Sequence, residues 1–150
     1  MLNIKALFSK IEVRQLLWTN PDPTSEFTAK TVNLDLSNYD SVQIVYKGFR
    51  TYGESYTAKS DVGSSGCRMG CHINTSGSAY PMVLERAYDV TISGVQFYAG
   101  SGKSTNSTST STQNGCCVPY KIYGIRKLGG VVNKLLRAIS NLTRKEVVVC

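Results

Sequence analysis

The chain has 150 residues, which is enough for one domain with a buried core. Its 41% hydrophobic and 18% charged residues exclude a highly charged disordered chain, and its thirteen glycines favour short strands joined by turns. Residues 1–120 carry ten Lys/Arg against nine Asp/Glu, whereas residues 121–150 carry seven against one. The net charge of +7 therefore belongs almost entirely to the C-terminal tail. We expect no membrane span, because no run of about 18 apolar residues is present.

Apolar residues recur at helical spacing near the start of the chain and predict a short amphipathic helix over residues 2–11. They are Ile4, Leu7, Phe8 and Ile11. A helix packed on its own domain and an attachment or oligomerisation arm over residues 1–12 are both consistent with this spacing. Lysines interrupt the segment, so we do not interpret it as a secretory signal. An apolar run follows at residues 13–18 and ends before the turn-forming Pro21 and Pro23.

Alternation of apolar and polar residues predicts two strands in the first third of the chain. Val32, Leu34 and Leu36 form one apolar face, and residues 42–47 form the next strand. Because about four turn-forming residues separate these strands, we predict that they pair as a hairpin. A weaker strand pattern follows at residues 52–57.

The same alternation continues in the middle of the chain. Residues 67–73 place two cysteines on the apolar face and His72 on the polar face. Strands are also predicted at residues 80–86 and 89–98. Within the second of these the apolar phase changes at Ser93-Gly94, which suggests a β-bulge.

Residues 101–115 contain nine Ser or Thr and no large apolar side chain, which predicts an exposed, mobile loop. Its side chains available for contacts are Ser101, Lys103, Asn106, Gln113 and Asn114. The glycines around Lys103 look like a phosphate-binding loop. However, Phe97 occupies the place of the required first glycine and no helix pattern follows. We therefore expect no nucleotide and no other cofactor.

The last strongly patterned strand lies at residues 117–125, before a tail that begins with Gly129 and Gly130, which we expect to break the chain. Apolar residues then recur at helical spacing and predict a basic amphipathic helix within residues 128–150 that docks a partner or self-associates. They are Val132, Leu135, Leu136, Ile139 and Leu142. The whole pattern predicts an all-β fold, an antiparallel β-sandwich of jelly-roll type over residues 13–127, with short amphipathic helices at both termini.

The five cysteines are an odd number, and without an export signal we expect reduced thiols. In a strand, Cys67 and Cys71 lie about 13 Å apart, too far to share a metal ion or to form an undistorted disulfide. We interpret them as small buried hydrophobic residues, with a cross-strand pairing to Cys116 or Cys117 as the open alternative. Because the adjacent residues Cys71 and His72 lie on opposite faces of the strand, and the acidic residues are scattered singly along the sequence, we expect neither a metal site nor an enzyme.

Three stretches stand in a fixed order: residues 17–27 (LWTNPDPTSEF), 32–40 (VNLDLSNYD) and 117–125 (CVPYKIYGI). In this order and spacing the chain resembles a group of small structural proteins of tailed bacteriophages and prophages. The resemblance covers residues 16–126 and implies no catalytic residue. The tail from Gly129 onward departs from it, because such chains tend to stop near the last of these motifs.

The resemblance implies a non-enzymatic virion protein of a tail fibre, tail tip or head appendage, made in the cytoplasm of the bacterial host. We expect a homotrimer whose partners are its own copies and other virion proteins, with loops facing solvent or a host surface glycan or protein. Two alternatives stay open. One is a stand-alone carbohydrate-binding module with clustered exposed aromatic residues. The other is a virion protein that binds nucleic acid through residues 126–145, which the apolar stripe of the tail disfavours.

Overall fold

The computed structural model describes residues 11–51, 54–74 and 80–146, and these residues form nine strands and one helix. The strands are β1 (Glu12–Thr19), β2 (Lys30–Asn33), β3 (Ser41–Phe49), β4 (Ser55–Asp61), β5 (Cys67–Ile73), β6 (Met82–Thr91), β7 (Gly94–Ser104), β8 (Ser111–Thr112) and β9 (Cys116–Lys127). The helix α1 (Leu128–Glu146) follows β9 directly. The predicted all-β class and the C-terminal helix are confirmed.

The strands form two antiparallel sheets. Sheet A has the order β1-β9-β3-β4, and sheet B has the order β2-β7-β6-β5. The short strand β8 pairs with β7 at Ser101 and Gly102, beyond the stretch of β7 that pairs with β2. The long strands β7 and β9 therefore lie inside their sheets, each with partners on both sides.

One hydrophobic core lies between the two sheets. Alternate residues of each strand point into it, as the period of two in an extended chain requires. Sheet A contributes buried residues of β3 and β9, and sheet B those of β5, β6 and β7. The largest of these side chains include Ile44, Tyr46, Val118, Ile122, Met69, Leu84, Tyr88 and Phe97. The inner faces of the two sheets thus pack against each other around a single core.

A tyrosine hydroxyl connects the two sheets at the level of β5. The hydroxyl of Tyr46 donates a hydrogen bond to the carbonyl oxygen of Gly70 at 2.8 Å. Burial is the main cause that raises the pKa of Tyr46 to about 12, and the nearby Cys117 thiol adds to it. The phenol therefore stays protonated at pH values at which an unfolded tyrosine, with a pKa of about 10, has ionised.

This raised pKa predicts a loss of stability at alkaline pH. The stabilisation due to the protonated phenol is complete below about pH 10 and is lost as the pH rises through about 12, because only the unfolded chain then releases the proton readily. In Tyr46→Phe, we expect a free energy of unfolding about 1 kcal/mol lower at pH 8 and a shallower decline between pH 10 and 12. Urea unfolding followed by circular dichroism at several pH values measures both. Equal declines in the two proteins would contradict the assignment.

The predicted hairpin between the strands near residues 32–36 and 42–47 is wrong. β2 pairs with β7 in sheet B, whereas β3 pairs with β4 and β9 in sheet A. The intervening segment crosses between the sheets: the amides of Leu34 and Leu36 donate to the carbonyl oxygens of Ser93 and Ile92, and Leu36 is fully buried. The short connection between the two strands therefore passes from one sheet to the other instead of forming a hairpin turn. The alternation of apolar and polar residues does not specify which strand pairs with which.

The predicted β-bulge at Ser93-Gly94 is a chain reversal instead. β6 ends at Thr91 and β7 begins at Gly94, so that Ile92 and Ser93 form the turn of a hairpin. The change of apolar phase arises because the chain reverses. The bulge of this hairpin lies farther along, between Arg86 and Tyr88, where the register with β7 shifts.

The predictions for the two chain ends have different outcomes. Gly129 and Gly130 do not break the chain but belong to the first turn of α1, at a cost of about 1 kcal/mol each relative to alanine. The helix predicted over residues 2–11, with Ile4, Leu7 and Phe8, lies outside the described residues. Ile11 is described and is exposed.

Candidate interaction surfaces

Helix α1 starts at a firmly held end of sheet A. The strands β1 and β9 are antiparallel neighbours, and the amide of Leu128 donates to the carbonyl oxygen of Ile11 at 3.0 Å. The carboxylate of Asp40 accepts a hydrogen bond from the amide of Lys127 at 2.7 Å. Ile11 and the start of α1 therefore lie side by side at this end of sheet A.

The apolar stripe of α1 is largely exposed. Leu135, Leu136 and Ile139 retain 61%, 43% and 49% of their accessible surface. Val132, one turn closer to the domain, is partly buried. Among the residues that the structure describes, no strand packs along the length of α1. The face predicted from the helical spacing is thus present, and most of it points away from the domain core. The side chain of the fifth predicted residue, Leu142, lies outside the described part.

Part of the region predicted as a loop over residues 101–115 belongs to sheet B, because β7 extends to Ser104 and Ser111–Thr112 form β8. Ser101 and Lys103 lie in β7, and Gln113 and Asn114 are partly buried against the core. The prediction was wrong because two strands here use glycine, serine and threonine instead of large apolar residues. A bulky side chain at Gly100 would contact the Arg86 guanidinium and the Cys116 sulfur, so the buried face of this strand has no room for one.

The exposed turn is shorter than predicted and is held by its own hydrogen bonds. It comprises residues 105–110 and includes the predicted Asn106. The amide of Thr105 donates to the carbonyl oxygen of Pro81 at 3.0 Å, and the hydroxyl of Ser104 donates to the side-chain oxygen of Asn106 at 2.6 Å. The amide of Ser107 donates to the carbonyl oxygen of Ser104. These bonds fix the turn beside the outer face of sheet B.

A cleft of about 370 Å³ lies between this turn and the outer face of sheet B. Its wall on the sheet consists of outward-facing residues of β6 and β7, and Thr110 closes it on the side of the turn. A smaller depression of about 170 Å³ adjoins it over β5 and β6 and shares Val83 and Glu85 with it. We call the two together the outer groove. Its outward-facing lining residues are Arg68, Gly70, His72, Val83, Glu85, Ser101, Lys103, Ser104, Thr105 and Thr110.

Glu85 stands at the centre of the outer groove and is held by an ion pair. One of its carboxylate oxygens lies 2.6 Å from a guanidinium nitrogen of Arg68 on the neighbouring strand β5. Lys103 is exposed on the other side, opposite Val83 in the register of β6 and β7. In the part of the chain that the structure describes, no carboxylate forms an ion pair with Lys103. Sequence reasoning selected Lys103 but missed Glu85 and Arg68, because only strand pairing brings them together.

Beneath this face lies a buried arginine that sequence reasoning also missed. The guanidinium of Arg86 donates to four carbonyl oxygens, and its side chain is fully buried. The acceptors are Cys117 (3.1 Å), Tyr98 (2.6 Å), Asn114 (3.1 Å) and Cys116 (3.0 Å). Burial lowers the pKa of Arg86. The signal was in the sequence, since Arg86 shares the inward phase of β6 with Leu84 and Tyr88.

Two cysteines, Cys116 and Cys117, lie beside this arginine, and Cys71 is a hydrogen-bond neighbour of Cys117. Cys71, Cys116 and Cys117 are buried, as expected of small hydrophobic residues, whereas Cys67 is only partly buried, and the described cysteines are free thiols. Hydrogen bonds to the sulfurs of Cys116 and Cys71 raise the pKa of the Cys117 thiol. The hydrogen bond from Cys117, together with the nearby Arg86, lowers the pKa of Cys116 even though burial opposes this. Because these thiols lie inside the core, they offer no exposed nucleophile.

Over the described ranges, no three His, Cys, Asp or Glu side chains come close enough to hold a metal ion. Nor does any helix within those ranges combine the length and the apolar character needed to cross a bilayer. Comparisons with protein-family models, with curated proteins and with solved structures find no match to this chain. In the described part of the chain, the exposed apolar face of α1 and the outer groove are the two surfaces suited to an interaction.

Proposed function

We propose that the protein is a non-enzymatic structural component of a bacteriophage virion, built into a tail fibre, tail tip or head appendage as a homotrimer. In this proposal α1 is the element that joins the copies. The observation that carries it is the exposed apolar face of a helix that leaves the end of sheet A without a strand along it in the described part of the chain. The resemblance of residues 16–126 to small phage structural proteins supports the location in a virion.

The energetics of α1 favour association. An isolated helix of this length is marginal in water, and most helices gain stability by burying an apolar face. Covering Leu135 and Leu136 contributes about 1 kcal/mol for each side chain, since each is about half exposed. Val132, Leu135, Ile139 and Leu142 repeat at intervals of three and four residues, the spacing of a coiled-coil seam. The basic residue Arg137 lies between these positions and is exposed.

The strand order supports the jelly-roll type within this proposal. The first strand β1 neighbours the last strand β9, and β2 neighbours the penultimate long strand β7, as in two antiparallel sheets wound together. The middle strands depart from that order, because β3–β4, β5–β6 and β6–β7 are joined as neighbours within a sheet. The fold proposed is therefore a jelly-roll variant with a hairpin-rich middle section.

Light scattering after size exclusion tests the assembly at micromolar concentration. We expect a wild-type mass three times the chain mass of 16.4 kDa. Leu135→Asp/Leu136→Asp should elute as a monomer, because two carboxylates cannot be buried unpaired in an apolar seam. The control Arg137→Ala changes an exposed residue of the same helix and should remain assembled. A monomeric wild-type protein would rule out the proposed assembly. Labelling purified particles with an antibody against the chain tests its place in the virion.

A further inference from the structure

The outer groove contains a mixture of groups suited to a hydroxylated ligand. It presents a carboxylate at Glu85, an ammonium at Lys103 and the hydroxyls of Ser101, Ser104, Thr105 and Thr110. Hydroxyl groups both donate and accept hydrogen bonds, whereas a carboxylate only accepts and an ammonium only donates. Val83 and Gly70 leave a small apolar floor between them. A ligand with many closely spaced hydroxyls matches this alternation better than an apolar molecule does.

The dimensions of the outer groove fit a chain of small rings. It runs across β5, β6 and β7 to Thr110, which corresponds to roughly 14 Å at about 4.8 Å per strand spacing. Its two parts, of about 370 Å³ and 170 Å³, are joined over Val83 and Glu85. Pockets for small ligands begin at roughly 300 Å³. The larger part therefore accommodates one or two rings and the smaller part extends the contact.

The polar groups are held in place before any ligand arrives. Arg68 fixes one oxygen of the Glu85 carboxylate, and among the described residues the other oxygen has no hydrogen-bond partner. The hydrogen bonds of Thr105, Ser104 and Ser107 fix the turn that forms the opposite wall. Behind the sheet, Arg86 holds the carbonyl oxygens of Asn114 and Cys116, which anchors the return of the chain from this turn. Such preorganisation lowers the entropic cost of binding.

The local charge favours an acidic ligand. Glu85 is already paired with Arg68, whereas Lys103 has no ion-pair partner in the described ranges. The outer groove thus keeps one positive charge in excess, with the exposed His72 at its other end. A carboxylate on the ligand would meet Lys103 while ligand hydroxyls meet Glu85 and the serine and threonine side chains.

We propose that the outer groove binds an acidic oligosaccharide, with Glu85 accepting from its hydroxyls and Lys103 pairing with its carboxylate. The site lies within one chain, so binding does not depend on assembly through α1. The exposed aromatic cluster that a stand-alone carbohydrate-binding module predicts is not used, because the outer groove is lined by polar side chains. Affinity of a single site is low, and display of several copies raises it through avidity.

Nuclear magnetic resonance titration of the full chain tests the site with trigalacturonic acid, the neutral galactotriose and inorganic phosphate. With trigalacturonic acid, we expect amide shifts confined to the lining residues of the outer groove. Lys103→Ala should weaken this binding about threefold to fivefold, the effect of one exposed ion pair, and leave galactotriose binding unchanged. Glu85→Gln should weaken binding of both trisaccharides about tenfold, because a ligand hydroxyl loses a charged acceptor.

The matched control is Lys30→Ala, which removes an exposed lysine from β2 of the same sheet and should not change any affinity. The proposal fails if trigalacturonic acid shifts no amide of the outer groove up to 20 mM, or if phosphate binds there as tightly as the trisaccharide. It also fails if Lys30→Ala weakens binding as much as Lys103→Ala, since that would indicate only general attraction of anions. The Leu135→Asp/Leu136→Asp variant separates the two proposals, because it should be monomeric and still show the shifts.

Discussion

Replacing Arg86 with methionine should lower the free energy of unfolding by about 4 kcal/mol. The guanidinium donates to four buried or partly buried carbonyl oxygens on β7, on β9 and at Asn114. Methionine has similar length but no donor, and each buried acceptor left unpaired costs about 1–3 kcal/mol. Part of this loss is offset, because a buried cation without a carboxylate partner carries a desolvation cost that the variant no longer has. The carbonyl oxygen of Asn114 keeps its hydrogen bond from the amide of Phe27, so the loss comes from the carbonyl oxygens of Tyr98, Cys116 and Cys117. We expect this loss to exceed the desolvation gain.

Urea unfolding measures this prediction, with the dependence on urea concentration expected to stay the same because the fold is retained. The matched control is Arg68→Met, the same substitution on the neighbouring strand, where the ion pair with Glu85 is largely exposed. A loss below 1 kcal/mol is expected there. Arg86→Lys keeps the charge but has fewer hydrogen-bond donors, so its loss in the free energy of unfolding should lie between those of Arg86→Met and Arg68→Met. Similar losses in Arg86→Met and Arg68→Met would show that the four hydrogen bonds contribute little.

Local patterns in the sequence predicted elements well where the strand environment is simple. β5 alternates between Cys67, Met69 and Cys71 inside and His72 outside, because one face meets the core and the other meets solvent. β3 was predicted for the same reason. The partners of these strands could not be predicted, since the period of two specifies a face and not a neighbour. That is why the connection through Leu36 was assigned to a hairpin when it crosses between sheets.

The two interaction surfaces were predictable to different degrees. The stripe of α1 lies on one continuous segment, so spacing alone located Leu135, Leu136 and Ile139. The outer groove is assembled from β5, β6, β7 and a turn, and its central ion pair joins residues seventeen positions apart in sequence. Arg86 was missed for another reason. It was predicted only as a strand residue, although a charged side chain on the inward face of a strand needs buried acceptors for its N–H groups.

Replacing Gly94 with alanine should lower the free energy of unfolding by about 3 kcal/mol or more. Gly94 ends the turn between β6 and β7 with a φ of +146°, which side-chain-bearing residues rarely adopt. An added Cβ would overlap the carbonyl oxygen of Val32 and lie 3.1 Å from the amide nitrogen of Leu34. Val32 belongs to β2, so the strand has to move away. Its displacement would also disturb the bonds from Leu34 and Leu36 to the turn.

Gly63→Ala separates backbone strain from this steric overlap. Gly63 also has a positive φ, +95°, but a Cβ there would meet no atom within 4 Å. We expect that variant to lose only about 1 kcal/mol, the cost of the unfavourable φ. Both losses are measured by thermal and urea unfolding under the same conditions. If the loss in Gly94→Ala is no larger than that in Gly63→Ala, β2 moves away from the added Cβ without a measurable cost in the free energy of unfolding. The crossing through Leu34 and Leu36 would then not be held by the β6–β7 turn.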